Sequence, residues 1–199
     1  MNVHIQKIED MAKQNNGIVA ASAVRAAGIS PNYLSQMVKA GRLNRLARGL
    51  YALPTVYVDE MAELYAKNKS IVFSHLSALY LHDLTDRTPL KMTITLPRIK
   101  NASKLLQSGL VEIKRSNESN HALGLTEMSS PSGFPIPVYD MERTVCDIVK
   151  NGKNTDMQIL TETLKVYAKR KDRNLSRLMQ YAKVLKAEQK LRPYMEVLL

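Results

Sequence analysis

Residues 22–51 read SAVRAAGISPNYLSQMVKAGRLNRLARGLY, and they decide the fold of the first part of the chain. Ser22 is placed to cap a short helix, and Gly28 supplies the left-handed residue that ends it. Ser30 is a second N-cap, and a proline follows it at the first helical position, so a second helix is predicted to run to Ala40. Two short helices joined by a tight turn are typical of a helix-turn-helix.

The second helix is predicted to have one buried face and one free face. Leu34, Met37 and Val38 fall together on one side when the residues are projected at about 100° each. The other side carries polar groups that can reach base edges and phosphates in a major groove. We therefore predict a recognition helix whose DNA-contacting residues are Asn32, Tyr33, Ser35, Gln36 and Lys39, with Tyr33 at the border between the two faces.

The segment that follows, residues 42–53, has the pattern of two short apolar strands around a turn at Gly49, as in a wing. Arg42, Arg45 and Arg48 supply three guanidinium groups, which suit phosphate binding rather than sequence reading. A small helical domain with a solvated basic hairpin is the alternative. The order of cap, turn, helix and wing favours the winged helix.

The 199-residue chain has a formal net charge of +11, which is unevenly distributed. Residues 1–54 contain seven Lys/Arg and two Asp/Glu (+5), residues 55–152 contain eleven of each (0), and residues 153–199 contain eleven and five (+6). An excess at both ends indicates two surfaces that face a polyanion, with a neutral body between them. A uniformly basic solvated surface would give a similar total.

The single cysteine, Cys146, excludes an internal disulfide and a cysteine-based metal site, which fits a reducing cytoplasm. His75 and His82 have no third metal ligand near them in the sequence. The N-terminal segment has acidic residues and helical periodicity, unlike a signal peptide, and no stretch approaches the roughly 18 apolar residues of a membrane span. We expect a cytoplasmic protein without membrane association.

The remaining pattern predicts an α+β chain of two domains. A first helix over residues 3–15 should brace the helix-turn-helix, and residues 18–20 are predicted to add a strand to the wing sheet. Pro54 closes the wing. The predicted domains are a winged helix-turn-helix over residues 1–54 and a mixed α/β domain over residues 55–199 that ends in helices.

Within the second domain, the apolar period changes from helical to strand-like and back. Helices are predicted to begin at the caps Asp59, Ser74, Asp140, Thr155 and Asn174. Arg143 and Asp147 are expected to pair at i, i+4. Alternation predicts a half-buried strand over residues 91–96 and further strands at residues 111–114, 123–128 and 135–138.

Three segments resemble a known family through their order and spacing. They are the helix-turn-helix and wing of residues 22–54, the helix FSHLSALYLHDLTDR (73–87) with the strand KMTITLP (91–97), and the helix YDMERTVCDIVK (139–150). Together they resemble the AbiEi antitoxins of bacterial abortive-infection systems over nearly the whole chain.

The resemblance implies a function for each domain. The winged helix would bind double-stranded DNA, with inverted repeats upstream of its own operon as the operator, and repress transcription. The second domain would oppose a nucleotidyltransferase-like toxin encoded beside it without needing a stable complex, the arrangement called type IV. No cofactor, metal or enzyme activity is implied.

A Mg²⁺-dependent nuclease guided by the winged helix is the catalytic alternative. Glu112 and Lys114 on one strand face, with Asp83 or Asp86 upstream, resemble the acid-x-Lys core of such enzymes. Any half-exposed strand also places two such residues on one face, so the pattern has little specificity.

A second basic surface is predicted on the C-terminal helices. A solvated helix face is the alternative for these residues, and a protein-binding module that grips an acidic partner is a third hypothesis for the whole chain. The residues of this basic tail surface are Lys165, Lys169, Arg170, Lys171, Arg173, Arg177, Lys183, Lys186 and Lys190.

Overall fold

The computed structural model describes residues 3–107, 109–152 and 155–198, and the chain divides into two compact units. Unit 1 comprises the chain up to Lys69 together with residues 129–135, and unit 2 comprises the rest. The sequence placed the boundary after Pro54. The division falls later because the helix of residues 60–67 packs against the wing strand of residues 44–47 and belongs with it.

Unit 1 contains four helices and one sheet within its described residues. The elements are α1 (Val3–Gln14), β1 (Ile18–Ala20), α2 (Ala21–Ala26), α3 (Asn32–Lys39), β2 (Asn44–Ala47), β3 (Leu50–Ala52) and α4 (Glu60–Lys67). β3 lies between β1 and β2 and pairs antiparallel with both. The predicted wing and its additional strand are confirmed.

The two helix starts of the helix-turn-helix differ from each other. Ala20 precedes α2 directly and no side chain caps it, so the predicted cap at Ser22 is wrong and Ser22 lies inside the helix. This follows from β1 running straight into α2, which leaves no separate cap residue. At α3, the hydroxyl of Ser30 accepts a hydrogen bond from the backbone N–H of Asn32 at 3.4 Å, as a capping residue should.

The core of unit 1 fixes which side of α3 faces outward. Burying each large aliphatic side chain contributes about 1.5–3 kcal/mol, so this cluster holds the polar side of α3 in solvent. The buried members are Ile8, Ala12, Val19, Val24, Ile29, Leu34, Met37, Leu43 and Tyr51.

Asp59 caps α4, as predicted, and also binds a distant loop of the same unit. Its carboxylate accepts hydrogen bonds from the backbone N–H groups of Met61 (2.8 Å) and Ala62 (3.1 Å). It also accepts from the hydroxyls of Ser130 and Ser132 and from the backbone N–H of Ser132. Residues 129–135 therefore join unit 1 through one buried carboxylate.

Unit 2 combines a mixed sheet with helices. Its elements are β4 (Val72–Phe73), α5 (His75–Leu81), β5 (Met92–Pro97), α6 (Ser103–Gln107), β6 (Val111–Ser116), α7 (Glu118–Ala122), β7 (Leu125–Ser129), β8 (Pro135–Tyr139), α8 (Met141–Asn151), α9 (Met157–Lys169), α10 (Leu175–Val184) and α11 (Glu188–Leu198), with the ends of β7 and β8 in unit 1. The strand order is β6-β5-β4-β8-β7, with β5–β6 and β4–β8 parallel and β4–β5 antiparallel. The α+β fold class is confirmed.

β5 is more buried than its alternation predicted. Both faces of its first five residues are inaccessible, so the expectation of a half-buried strand is wrong. The threonines on the second face are covered because α5 packs there. The hydroxyl of Ser77 accepts from the N–H of Thr93, and Thr95 donates its hydroxyl hydrogen to Ser74, which satisfies these polar groups.

α8 is the central helix of unit 2 and packs against α5, α9, α10 and α11. Asp140 caps it through the N–H of Arg143, and the predicted pair forms with Nε of Arg143 3.0 Å from Oδ2 of Asp147. Both charged side chains are buried. Cys146 on the same helix is fully buried, and this burial raises the pKa of its thiol to about 12.

The C-terminal helices depart from the sequence prediction at two points. Asp156, not Thr155, caps α9, because its carboxylate accepts from the N–H of Gln158. At the second point, the last helix continues through a proline, since Pro193 lies inside α11. Among the described residues, no helix has the length and apolar character needed to cross a membrane.

Candidate nucleic-acid interface

The free face of α3 is where the sequence placed it. Leu34 and Met37 are buried and Val38 is partly buried. The exposed residues of the helix are the predicted Asn32, Ser35, Gln36 and Lys39. Amide side chains can form bidentate hydrogen bonds to adenine, and a lysine can reach guanine or a phosphate, so this face has the chemistry of base readout.

Tyr33 occupies the border of that face. Its ring lies 5.2 Å from the ring of His4, centroid to centroid, at an angle of 47°. The side chain is partly buried, so α1 supports it from one side. Tyr33 is therefore positioned by packing, with part of its surface left for a ligand.

The wing turns at Gly49, whose φ of +77° lies in the left-handed region that favours glycine. The carbonyl of Gly49 accepts from the N–H of Ala21 at 2.8 Å, which ties the turn to the start of α2. The β2–β3 register shifts between Arg45 and Ala47, as in a bulge. Arg45 and Arg48 are exposed, and neither contacts a carboxylate among the residues the structure describes.

Arg42 differs from the other two wing arginines. Its Nε lies 2.8 Å from Oε1 of Glu9, so it joins the start of the wing to α1. The hydrogen bond that Arg42 donates to Glu9 raises the pKa of the guanidinium group above its usual value. One of its donors is thus used inside the unit, which the sequence alone did not predict.

Lys67 and Lys69 extend the basic surface of the wing, and the sequence analysis did not predict this. Arg45, Arg48, Lys67 and Lys69 line one groove of about 490 Å³ in unit 1. Nζ of Lys69 lies 3.9 Å from the centre of the Tyr65 ring, and burial lowers the pKa of this lysine. The missed signal was the basic end of α4, which the boundary after Pro54 assigned to the other domain. Nζ of Lys67 is paired with Oε1 of Glu63, which leaves Arg45, Arg48 and Lys69 as the groove cations without a carboxylate contact in the described residues. Cations along one groove suit a phosphate backbone.

The basic tail surface divides into paired and free cations. Arg170 forms a two-pronged pair with Asp172 at 2.8 Å, and Nζ of Lys190 donates to the carbonyl of Lys150 at 3.0 Å. Arg173 donates to the carbonyl of Arg170, and Arg177 lies 3.9 Å from the carboxylates of Asp140 and Glu142. The exposed members with neither a carboxylate nor a carbonyl contact in the described part of the chain are Lys165, Lys169, Lys171, Lys183 and Lys186.

The residues of the nuclease hypothesis have other partners. Nζ of Lys114 lies 2.8 Å from Oε1 of Glu112, and this hydrogen bond lowers the pKa of Glu112. Nε2 of His82 contacts the carbonyl of Tyr139 at 2.7 Å. Within residues 3–107, 109–152 and 155–198, no three His, Cys, Asp or Glu side chains are grouped as metal ligands would be.

Residues 6–54, which include most of α1, the helix-turn-helix and the wing, match a protein family described as "Transcriptional regulator, AbiEi antitoxin". The resemblance to the AbiEi antitoxins is confirmed over these residues. The matched segment contains every residue of the predicted recognition helix and all three wing arginines. A comparison with curated proteins finds no match for the chain.

Proposed function

We propose that this protein is a sequence-specific DNA-binding autorepressor that also serves as the antitoxin of a bacterial abortive-infection system. Its DNA target would be an operator of inverted repeats upstream of its own operon. Its functional partner would be a nucleotidyltransferase-like toxin, neutralised without a stable complex. The observation that carries the DNA half is the exposed polar face of α3 in the same unit as a groove lined by Arg45, Arg48, Lys67 and Lys69.

The two parts of this surface have different tasks in the proposal. Asn32, Ser35, Gln36 and Lys39 would read base edges, since α3 is held by a buried core and its polar face is free. The groove cations would hold phosphates and fix the orientation of the helix on the duplex. Sequence preference and general affinity should therefore respond to different substitutions.

Binding measured on operator variants tests this division. Gln36→Ala should relax the preference at one or two base pairs, at a cost of about 1–3 kcal/mol per bidentate contact. Arg48→Ala should weaken binding to every sequence and lower the slope of log K against log salt by about 0.9. If the two variants had the same profile across operators, the division would be wrong.

The antitoxin half rests on the family description of residues 6–54 and on the wider resemblance of the chain. Expression beside the product of the neighbouring gene tests it. The wild-type protein should restore growth when that product is toxic, and Arg45→Ala with Arg48→Ala should still restore growth after losing DNA binding. Failure of the wild-type protein to restore growth would remove this half and leave the repressor proposal standing.

A further inference from the structure

Unit 2 contains a cleft of about 320 Å³ that the proposed function does not use. It lies where the parallel strands β5 and β6 end, beside the starts of α5 and α7 and along α8. Clefts of this size are at the small end of the range for small-molecule sites.

The lining carries five cationic side chains and one carboxylate. The carboxylate of Asp147 is paired with Arg143, and Lys114 is paired with Glu112. The other three cations, Arg98, Arg115 and Lys150, have no carboxylate within 4 Å in the described ranges. Their charge is therefore available to an anion in the cleft.

Two of the arginines are held in place by backbone carbonyls. Arg143 donates to the carbonyls of Asn120 (2.6 Å) and Leu123 (2.7 Å) and stacks on the ring of Tyr139. Arg115 donates to the carbonyls of Pro97 and Lys100. A carbonyl orients a guanidinium group without cancelling its charge. Arg143 is also paired with Asp147, so of these two arginines only Arg115 keeps an oriented charge with no carboxylate partner in the described residues.

The backbone conformation of His75 is a second observation that points to a ligand site. It is the first residue of α5, and its φ of +48° is sparsely populated for residues other than glycine. Backbone strain of about 1–3 kcal/mol persists only where the surroundings enforce it, and such residues cluster at ligand sites. Burial lowers the pKa of His75, so at neutral pH its imidazole is a neutral hydrogen-bonding group of the lining.

We propose that this cleft binds the phosphate groups of a small, multiply charged phosphate ester such as a nucleoside triphosphate. Arginine forks match phosphate oxygens in pairs, and three uncompensated cations suit a ligand with more than one phosphate. Single-stranded nucleic acid is the rival ligand. It is disfavoured because such sites stack successive bases on aromatic rings, whereas His75 supplies the only ring in this lining.

Direct binding to the full-length protein tests the proposal, with inorganic pyrophosphate, a nucleoside triphosphate and a single-stranded oligonucleotide as the three probes. Pyrophosphate and the triphosphate should bind one site per chain and compete for it. The exposed pair Arg98→Gln and Lys150→Gln should together weaken both by about a hundredfold, because each lost charge-assisted hydrogen bond is worth roughly one power of ten.

The matched control removes one arginine and one lysine elsewhere in unit 2, with Lys91→Gln and Arg192→Gln, both exposed and outside the cleft. This control should bind both phosphates as the wild type does. Unchanged thermal unfolding of both double variants would show that they remain folded. The proposal is overturned if the control loses as much affinity for the two phosphates as the Arg98/Lys150 variant does. It is also overturned if neither phosphate binds at millimolar concentration, or if the oligonucleotide is the only one of the three probes that binds the cleft.

Discussion

At the scale of single residues, the carboxylate of Asp59 accepts more hydrogen bonds than any other carboxylate among the described residues of unit 1. Burial would raise its pKa, but hydrogen bonds from Ser130, Ser132 and Ala62 outweigh burial and bring the pKa below 3.8. The ionised form is therefore the one that stabilises the fold. A lowered pKa means that this stabilisation is complete above pH 3.8 and disappears as the pH falls through the folded-state value.

Asp59→Asn should lower the free energy of unfolding at pH 7 by about 1–3 kcal/mol, since it removes charge from a buried acceptor of several hydrogen bonds. The deficit should shrink as the pH is lowered below 3.8. Urea unfolding followed by circular dichroism at pH 7 and pH 3 measures both effects. Glu60→Gln, which removes a neighbouring exposed charge, is the control, and an equal loss there would contradict the assignment.

Cys146 allows a chemical prediction at the same scale. Its thiol has a pKa of about 12 and lies 3.5 Å from the carbonyl of Leu178, so it carries no appreciable thiolate at pH 8. Iodoacetamide should therefore leave the native protein unlabelled and modify it fully in urea, as read by mass spectrometry. Rapid labelling of the native protein at pH 8 would show that this part of unit 2 opens.

At the scale of elements, the wing arginines should separate into one structural and two DNA-binding side chains. Arg42→Ala should lower the melting temperature, because it removes the link to Glu9 on α1, and it should change the salt dependence of DNA binding little. Arg48→Ala should change the melting temperature little and should reduce the salt dependence of DNA binding. Thermal unfolding and binding titrations on the same two variants make the comparison, and identical behaviour would contradict the separation.

Much of the element order could be predicted from the sequence, because caps and apolar periods are local signals. Asp59, Asp140 and Asn174 cap helices where expected, and Gly49 turns the wing. The failures have non-local causes. β5 is buried on both faces because α5 covers the second one, and Lys67 joins the wing groove only through tertiary packing.

The unpredicted cleft in unit 2 has the same explanation. Arg98, Lys114 and Lys150 are far apart in sequence, and each alone has the pattern of a surface charge. Only the parallel pairing of β5 with β6 and the position of α8 bring them to one place. The acid-x-Lys pattern was a local signal, and its two side chains, Glu112 and Lys114, form an ion pair with each other.

At the scale of the whole molecule, the positive charge at the two ends of the sequence leads to a test of the basic tail surface. If the tail contacts DNA, Lys165→Gln, Lys169→Gln and Lys183→Gln together should reduce the slope of log K against log salt by up to about 0.9 per lost phosphate contact. Lys91→Gln is the control because it lies outside both basic surfaces. An unchanged slope in the triple variant would assign the tail lysines to a partner other than this DNA.

The contacts of the Asp59 carboxylate can form only after a much later part of the chain has been synthesised. Its hydroxyl partners Ser130 and Ser132 lie 71 and 73 residues further along the chain. At about 5–20 residues per second, a ribosome adds them roughly 4–15 s after Asp59. During that interval the nascent unit 1 lacks its last segment, and a fragment that ends before residue 129 never receives it.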